Sequence, residues 1–574
     1  MHRTRLLGIF AVTGLLLAGQ EVPDGSEDAN SLDVAQLMMG ADNCTFRAAP
    51  DSFLSMTTRA RKSVFDRVSQ FGKAFSLERN ATSPTQPATV NPRSIPRKNF
   101  IDDEIFDKLI QSNVNAAPMS TDEEFLRRIT LDLTGRIPSS ADVRAFLADT
   151  NPAKRSALID KLLYSPEFND KWTMWLGDLV QNSRNLPLAA PRQSSGRNAF
   201  YQGLYNFVAG YRSIKDLTVQ LLTATGNNYD APGFSNWALA GLTTGGPAND
   251  NYDMQAVMAA KQFLGLGHYD CLMCHNGRGH LDQLSLWATG VTRSDAENMS
   301  AFFSRNSRAG YAFPPGTPLA DQQASPYFNS QIVNDATTYT SAYALPTTFG
   351  NRPNRALING KNTADMIYRT GQRAATNANP RQQFANYVVA DPMFSVNFAN
   401  RLFKQMFNYG LVDTVEYLDP ARLDPSNPPD PSWGFQATHP VLLQRLAKFF
   451  VQTNYNLRET LRVIAESSAY QLSSRYTDDW DITMVPLFAR HYTRRLDGEE
   501  IHDATIKATG ARPKYTISGN GYTNPNPISF AMQAPDTVEI NINILNSFLR
   551  GDRDASPRSQ AVTIQQSLAL MNDT

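Results

Sequence analysis

The spacing of the apolar residues constrains the fold of this chain more than any other feature. Over residues 99–185 they recur every three or four positions, as Ile101, Ile105 and Leu109 do, and the same spacing dominates residues 438–475. This period is typical of amphipathic helices. We see no alternation of strand and helix patterns of the kind that a parallel sheet requires. We therefore expect a mostly α, multi-helical and loop-rich protein with two packed helical domains.

Short motifs predict where several of these helices begin. Ser120, followed by Glu123 three positions later, matches a capping box. Ser139 and Thr438 are suitable caps for the apolar runs that follow them, and Pro166 suits the first turn of a further helix. These positions predict four separate helix starts.

The length of the chain and its Pro-rich stretches suggest how it is divided. Its 574 residues exceed the usual size of one domain. We expect five segments: a signal peptide at 1–20, an N-terminal arm and linker at 21–98, a helical domain with the cysteine pair at 99–305, a loop-rich connector at 306–379, and a C-terminal helical domain at 380–574.

The N-terminus has the pattern of a secretory signal. Arg3 and Arg5 precede an apolar run at 6–18 that ends in small residues. The run is short for a membrane span. Gln20 stands where a bacterial lipoprotein would carry its lipidated cysteine, which argues against lipidation. We expect an extracytoplasmic protein, periplasmic or at the cell surface, with no integral membrane span in the mature chain.

The composition narrows the possible functions. Lys and Arg together number 54, as do Asp and Glu, so the formal net charge is zero and no basic nucleic-acid surface is expected. Hydrophobic residues make up 41% of the chain, which is enough for substantial cores. Three cysteines are too few for a disulfide scaffold. Cys44 is left without an assigned role.

The other two cysteines lie in a motif with a specific chemistry. Cys271-Leu272-Met273-Cys274-His275 is the signature of covalent haem attachment. Two thiols three positions apart on a helical turn reach the two vinyl groups of one haem, and the next residue presents its imidazole to the iron. The motif predicts one covalent haem c, bound by Cys271, Cys274 and His275, with His275 as the iron ligand. Such attachment takes place outside the cytoplasm, in agreement with the N-terminus.

Two other chemistries suit the same residues. Zinc could be held by Cys271, Cys274, His275 and His280, although adjacent Cys274 and His275 crowd a tetrahedral site. A redox disulfide is also possible, but the strand-to-helix context of a thioredoxin fold is missing. The sixth iron ligand stays open, and the candidates are His268, His280, Met299, Met366, Met393 and Met406.

The region before and around the motif resembles a known family. Phe100-Ile101-Asp102, the segment 127–138 with Leu-Asp-Leu-Thr-Gly, and Ala301-Phe302-Phe303 are similar to a planctomycete-type cytochrome-associated domain of unknown function. That family also carries Cys-x-x-Cys-His, usually continued as His-x-His-Pro. Here the second histidine is displaced to His280 and the proline is missing, so the family's second histidine does not map directly onto His280.

The last third of the chain is similar to planctomycete-specific domain one, which usually follows the first domain. The resemblance is carried by Asn400-Arg401-Leu402, Asp413, Thr438-His439-Pro440 and the segment 565–573. Together the two resemblances cover 99–185, 253–305 and 380–574, with the cysteine motif placed between the two domains. They imply an architecture rather than an activity. Asn400, Arg401 and Asp413 are interpreted mainly as a buried polar network, with a substrate site as the alternative.

The sequence thus favours an exported monohaem c-type cytochrome-like protein, which transfers electrons or serves as a redox component of a periplasmic or surface complex. Its partners would be redox proteins or a membrane-associated complex. One alternative is a structural or assembly subunit in which the haem is a relay or a staple, as the Pro-rich stretches at 80–98 and 306–350 suggest. Another is a zinc-binding protein without redox function. No hydrolase motif is present, so an electron carrier or structural subunit is favoured over an enzyme.

Overall fold

The computed structural model describes residues 88–187, 190–243, 246–335, 343–345, 352, 362–413, 415–553, 558–559 and 563–572. About 49% of these residues are helical and only 6% form strands, which confirms the mostly α, multi-helical prediction. The predicted signal peptide, most of the N-terminal arm and Cys44 lie outside the described residues.

Helices dominate the part of the chain up to the cysteine motif and shortly beyond it. They are α1 (Phe100–Gln111), α2 (Asp122–Thr134), α3 (Ser140–Ala148), α4 (Lys154–Leu163), α5 (Pro166–Leu179), α6 (Gln193–Ala209), α7 (Ile214–Thr223), α8 (Ser235–Leu239), α9 (Ala248–Ala259), α10 (Tyr269–Leu272), α11 (Leu286–Thr289) and α12 (Arg293–Ala301). A π-helical turn, Ala260–Leu264, extends α9 towards the motif.

The remaining helices lie mostly in the C-terminal third. They are α13 (Leu319–Ala324), α14 (Pro380–Ala390), α15 (Pro392–Phe407), α16 (Pro440–Gln452), α17 (Leu457–Glu466), α18 (Gly498–Thr509), α19 (Asn543–Ser547) and α20 (Ile564–Asn572). Short 3-10 turns occur at Pro92–Ser94, Pro420–Arg422, Ile482–Leu487 and Ala531–Gln533.

The connector at 306–379 contains most of the strand structure. In the sheet of β1 (Gly226–Asn227), β2 (Asn306–Gly310) and β3 (Gln331–Asp335), the central β3 pairs antiparallel with both neighbours. A second antiparallel pair joins β4 (Tyr343–Ala344) and β5 (Thr363–Ala364). The sheet order β1-β3-β2 ties the connector to a strand that lies about 100 residues earlier in the chain.

The predicted helix starts are confirmed at two places. Ser139 and Asp142 form a reciprocal capping box at the start of α3. Pro166 occupies the first turn of α5, and the Ser165 side chain accepts a hydrogen bond from the Phe168 N–H. Both signals depend only on neighbouring residues, which is why the sequence alone identifies them.

Two predicted caps are wrong by one residue. Thr121, not Ser120, caps α2 by accepting a hydrogen bond from the Glu124 N–H, whereas Ser120 is buried and its carbonyl accepts from Arg155. At α16 the cap position is occupied by His439 rather than Thr438. The Thr438 N–H instead donates to the Leu411 carbonyl, a contact that the local sequence does not reveal.

One continuous hydrophobic core joins the N-terminal and C-terminal helices. Its buried members run from Ile95 to Tyr492, and a smaller cluster forms around Met174 and Ile517. Helices far apart in sequence pack directly, since α1 contacts α16 and α4 contacts α17. The two helical segments therefore share a core. Among the described residues, no helix combines the length and apolarity that crossing a membrane requires.

Candidate functional site

The cysteine motif lies on a single helical turn that is anchored in the core. Backbone bonds from the Met273 N–H to Tyr269 and from the His275 N–H to Cys271 continue the helix through the motif. Tyr269, Leu272 and Met273 are at most 1% exposed. Because these side chains point inward, the cysteines three positions apart share the other side of the turn.

Just before this turn, the backbone packs closely against residues of the C-terminal third. The π-helical turn ends at Gly265, which has φ of 72°. A Cβ atom there would lie 2.7 Å from a Leu418 side-chain carbon and 2.9 Å from Asn397 Oδ1. The Leu418 N–H donates to the Gly265 carbonyl and the Gly267 N–H donates to the Glu416 carbonyl. A segment of the C-terminal third therefore fixes the start of the cysteine turn.

Two polar side chains of α15, those of Asn397 and Arg401, satisfy carbonyls of the π-helical turn. Asn397 Nδ2 donates to the Gln262 carbonyl at 3.0 Å, and the Arg401 guanidinium donates to the Lys261 carbonyl at 3.1 Å. Arg401 Nε also donates to Asn397 Oδ1. A π turn lies outside the regular i to i−4 hydrogen-bonding pattern, and such turns often occur near functional sites. These side chains therefore stabilise the approach to the motif.

Asn400 has the structural role that its sequence context predicted. Its amide donates to the Val412 carbonyl at 2.7 Å and accepts from the Val412 N–H at 2.9 Å. Lys404 pairs with Asp413 on the same segment. Asn400 is thus fully buried with both of its polar groups paired, as the structural interpretation expects, whereas Asp413 is half-buried and pairs with Lys404 rather than with Asn400 or Arg401.

Both cysteines of the motif lie at the boundary between the core and solvent. Cys271 and Cys274 are partly exposed and do not form a disulfide with each other. The intervening Leu272 and Met273 are buried, Cys271 packs against the edge of the core, and Arg352 lies over Cys274 Sγ. The two cysteines therefore lie on the same side of one helical turn.

The hydrogen bond of His275 selects its tautomer. Its Nδ1 lies 2.9 Å from the Asn276 carbonyl oxygen, which can only accept, so Nδ1 carries the hydrogen. Nε2 then keeps its lone pair, as an iron ligand requires. Burial lowers the pKa of His275, and nearby His280 and Arg293 lower it further, against the opposing effect of the Asn276 carbonyl. The imidazole is therefore neutral near pH 7.

His280 lies face to face with His275. The two ring centroids are 4.0 Å apart and the planes differ by 28°. Within the described part of the chain, no group of three or more His, Cys, Asp or Glu side chains is arranged to hold a metal ion. The zinc alternative, which needs Cys271, Cys274, His275 and His280 around one ion, therefore finds no preformed donor set.

Arg352 contacts the cysteine turn from a distant part of the chain. Its guanidinium donates to Asp270 Oδ1 at 2.6 Å and to the Asp270 carbonyl at 3.1 Å, and Nη1 lies 3.6 Å from Cys274 Sγ. The nearby carboxylate of Asp270 raises the pKa of Arg352 in spite of its burial. Sequence reasoning missed this residue, because 78 positions separate it from Cys274 and no local pattern marks it.

Five of the six candidates for a sixth ligand are buried in the protein. Met299, Met366, Met393 and Met406 are core residues with exposures of 0–5%. His268 is buried, its ring packs edge-on against Tyr417 at 5.2 Å, and burial lowers its pKa to about 4. His268 also occupies the cap position at the start of α10, one turn before Cys271. None of these side chains is exposed beside the two thiols.

The residues present suit a covalently attached haem. They supply two partly exposed cysteines on one turn and a neutral imidazole whose Nδ1 is already hydrogen-bonded. A ligating histidine normally donates its second ring N–H in this manner, because the bond fixes the orientation of the ring.

Comparison with known families supports the predicted order of domains. Residues 100–306 match the PSCyt2 family, described as a protein of unknown function (DUF1549), and residues 380–574 match PSD1, described as a protein of unknown function (DUF1553). No curated protein and no solved structure is significantly similar to the chain. The cysteine motif lies inside the first matched segment rather than between the two. The two matches thus follow one another along the chain in the predicted order, PSCyt2 before PSD1.

Proposed function

We propose that this chain is an exported c-type cytochrome-like protein with one covalent haem, which transfers electrons in a periplasmic or surface complex. The observation that carries the proposal is the geometry of one helical turn, where two partly exposed thiols precede an imidazole with an available Nε2. The secretory pattern at the N-terminus supports it independently, because haem attachment of this kind is extracytoplasmic.

Each residue of the turn would have a defined task. Cys271 and Cys274 would each add their S–H across one vinyl group, which forms two thioethers with no atom lost. His275 would hold the iron through Nε2 while the Asn276 carbonyl keeps its ring in place. Leu272 and Met273 anchor the turn in the core, which limits its movement. The bound haem would supply one-electron chemistry.

The test is covalent haem content. The full chain would be produced in a host that exports it and attaches c-type haem, and then analysed by pyridine haemochrome spectrum and denaturing mass spectrometry. We expect one haem per chain that survives denaturation. The variant Cys271→Ala with Cys274→Ala should lose it completely, whereas Cys44→Ala serves as the matched control and should retain it.

The same preparation separates the alternatives. A protein without haem that holds one zinc ion, lost in the double variant, would contradict the proposal and favour the zinc-binding alternative. A protein that carries neither haem nor zinc would also contradict it. If haem is present, reduced-minus-oxidised spectra and carbon monoxide binding then distinguish a six-coordinate electron carrier from an iron with an open position.

A structural role for the haem is the second candidate, because the turn is part of the shared core. Tyr269, Leu272 and Met273 are buried in the cluster that joins both helical segments. If the haem stabilises this region, the double cysteine variant, which lacks the haem, should unfold at a lower temperature than the unsubstituted protein. An electron carrier predicts reversible reduction by a partner, with little dependence of the overall fold on the haem.

A further inference from the structure

We propose that His280 is a positioning residue, which fixes the plane of the His275 imidazole by stacking on it and is not itself a ligand. The inference rests on the proposed function, and it names how the axial ligand of that same site is oriented. The observation behind it is the parallel contact between the two rings, with centroids 4.0 Å apart and planes 28° from parallel.

Two contacts together restrict the His275 ring. The hydrogen bond from Nδ1 to the Asn276 carbonyl holds one edge of the ring. The His280 ring covers one face, so rotation about the bond between Cβ and the ring would break both contacts. With one edge and one face occupied, the ring is held in a single orientation. Contacts that a ligating histidine makes with neighbouring protein groups orient its ring and tune the metal that it binds.

The segment that carries His280 is itself held in place. The His280 N–H and the Leu281 N–H both donate to the Gly277 carbonyl, and Leu281 is buried. The Gly277 N–H donates to the Val291 carbonyl. A Cβ atom on Gly277 would lie only 1.7 Å from the Ala288 carbonyl oxygen, so this approach requires glycine. The turn after the motif therefore places His280 reproducibly beside His275.

The stacked geometry argues against a role for His280 as a ligand. Two imidazoles that bind one ion point a ring nitrogen of each at that ion, so their lone pairs converge. Rings that lie face to face at 4.0 Å do not converge in this way. His280 also follows His275 by only five residues, which is too short a connection to reach the opposite side of a haem.

Three proteins test this inference: the unsubstituted haem protein, His280→Phe, which keeps a flat ring without nitrogens, and His280→Ala, which has no ring. Electron paramagnetic resonance of the ferric protein reports the orientation of the axial imidazole through its g values. We expect His280→Phe to give g values close to those of the unsubstituted protein. We expect His280→Ala to give a shifted and broadened signal, because the ring of His275 is less restrained. His280 is exposed, so neither substitution should prevent folding.

The outcomes are separable. If His280→Phe behaves like His280→Ala, a nitrogen of His280 is needed and the stacking role is wrong. If all three proteins carry haem and have identical g values, His280 has no orienting role, and only this inference fails. If the unsubstituted protein carries no covalent haem, the proposed function fails and the inference fails with it.

Discussion

At the scale of single residues, burial changes the acid–base behaviour of several histidines. His439 is 5% exposed, and its Nε2 has no hydrogen-bond partner among the described residues. Burial, with a smaller contribution from Lys108, lowers the pKa of His439 to about 4. His491 is also buried, and burial lowers its pKa well below the ordinary value. Both side chains are therefore neutral in the folded protein at pH 7.

We expect the stability of the protein to fall between about pH 6.5 and pH 4, in part because of His439. The unfolded chain binds a proton near the ordinary pKa of about 6.5, whereas the folded chain binds it only near 4. The stabilisation is fully present above pH 6.5 and is lost as the pH falls, by up to about 1.4 kcal/mol per pH unit for each such group.

The variant His439→Gln isolates this contribution. Thermal unfolding should show a smaller loss of stability between pH 7 and pH 5 than in the unsubstituted protein. The same variant measured between pH 7 and pH 8 is the control, since His439 is neutral throughout that range. An unchanged acid dependence in the variant would contradict the assignment to His439.

At the scale of elements, the short cysteine helix depends on contacts from outside itself. A four-residue helix such as α10 has little stability of its own. The conformational entropy lost on forming the first turn exceeds the free energy that its one hydrogen bond contributes. The residues just before it, Gly265 and Gly267, are tied to the segment 416–418 by backbone bonds, and Arg352 joins Asp270 to Cys274. The turn therefore keeps its shape through distant residues rather than through helix propensity.

Replacement of Arg352 by Gln should loosen the cysteine turn. Charge-assisted hydrogen bonds contribute roughly 1.5–3 kcal/mol, so local opening should become about tenfold more frequent or greater. In haem-free protein, the rate at which Cys274 is alkylated should rise by that factor. Arg373→Gln is the matched control, because Arg373 forms an exposed ion pair with Asp365 far from the thiols in sequence. Equal rates in both variants would show that Arg352 does not restrain the turn.

At the scale of the whole molecule, a buried carboxylate joins the first and last helical segments. Asp102 on α1 is fully buried and accepts hydrogen bonds from the Lys98, Ser468 and Ala469 N–H groups, at 2.8–3.0 Å. Two of those donors lie more than 360 residues away in the chain. Since α1 also packs on α16, the two matched segments are expected to unfold together.

The substitution Asp102→Ala should destabilise the whole protein by on the order of 3 kcal/mol, because three backbone donors lose their acceptor inside the core. Calorimetry should show one unfolding transition that shifts to lower temperature as a unit. Asp103→Ala is the neighbouring control, and its exposed side chain should contribute about 1 kcal/mol or less. Two separate transitions, with only one affected, would contradict the shared core.

The sequence by itself determined the local features of this protein. The sequence predicts the helical spacing, the cap at Ser139 and the position of Pro166 at the start of α5. Each of these depends on interactions between residues only a few positions apart. The order of the two domains and the cysteine motif are likewise present in the sequence. The cap of α2 shows the limit of such reading, since the contact between Arg155 and Ser120 selects Thr121 over its neighbour.

Only the tertiary structure decided the surroundings of the motif and the way the two segments pack. The stacking of His280 on His275, the contact of Arg352 with Cys274 and the support of the π-helical turn by Arg401 have no local sequence signal. Each depends on a particular backbone path that brings side chains together in space. Such contacts follow from burial and packing of the whole chain, and a one-dimensional pattern does not contain the distances that define them.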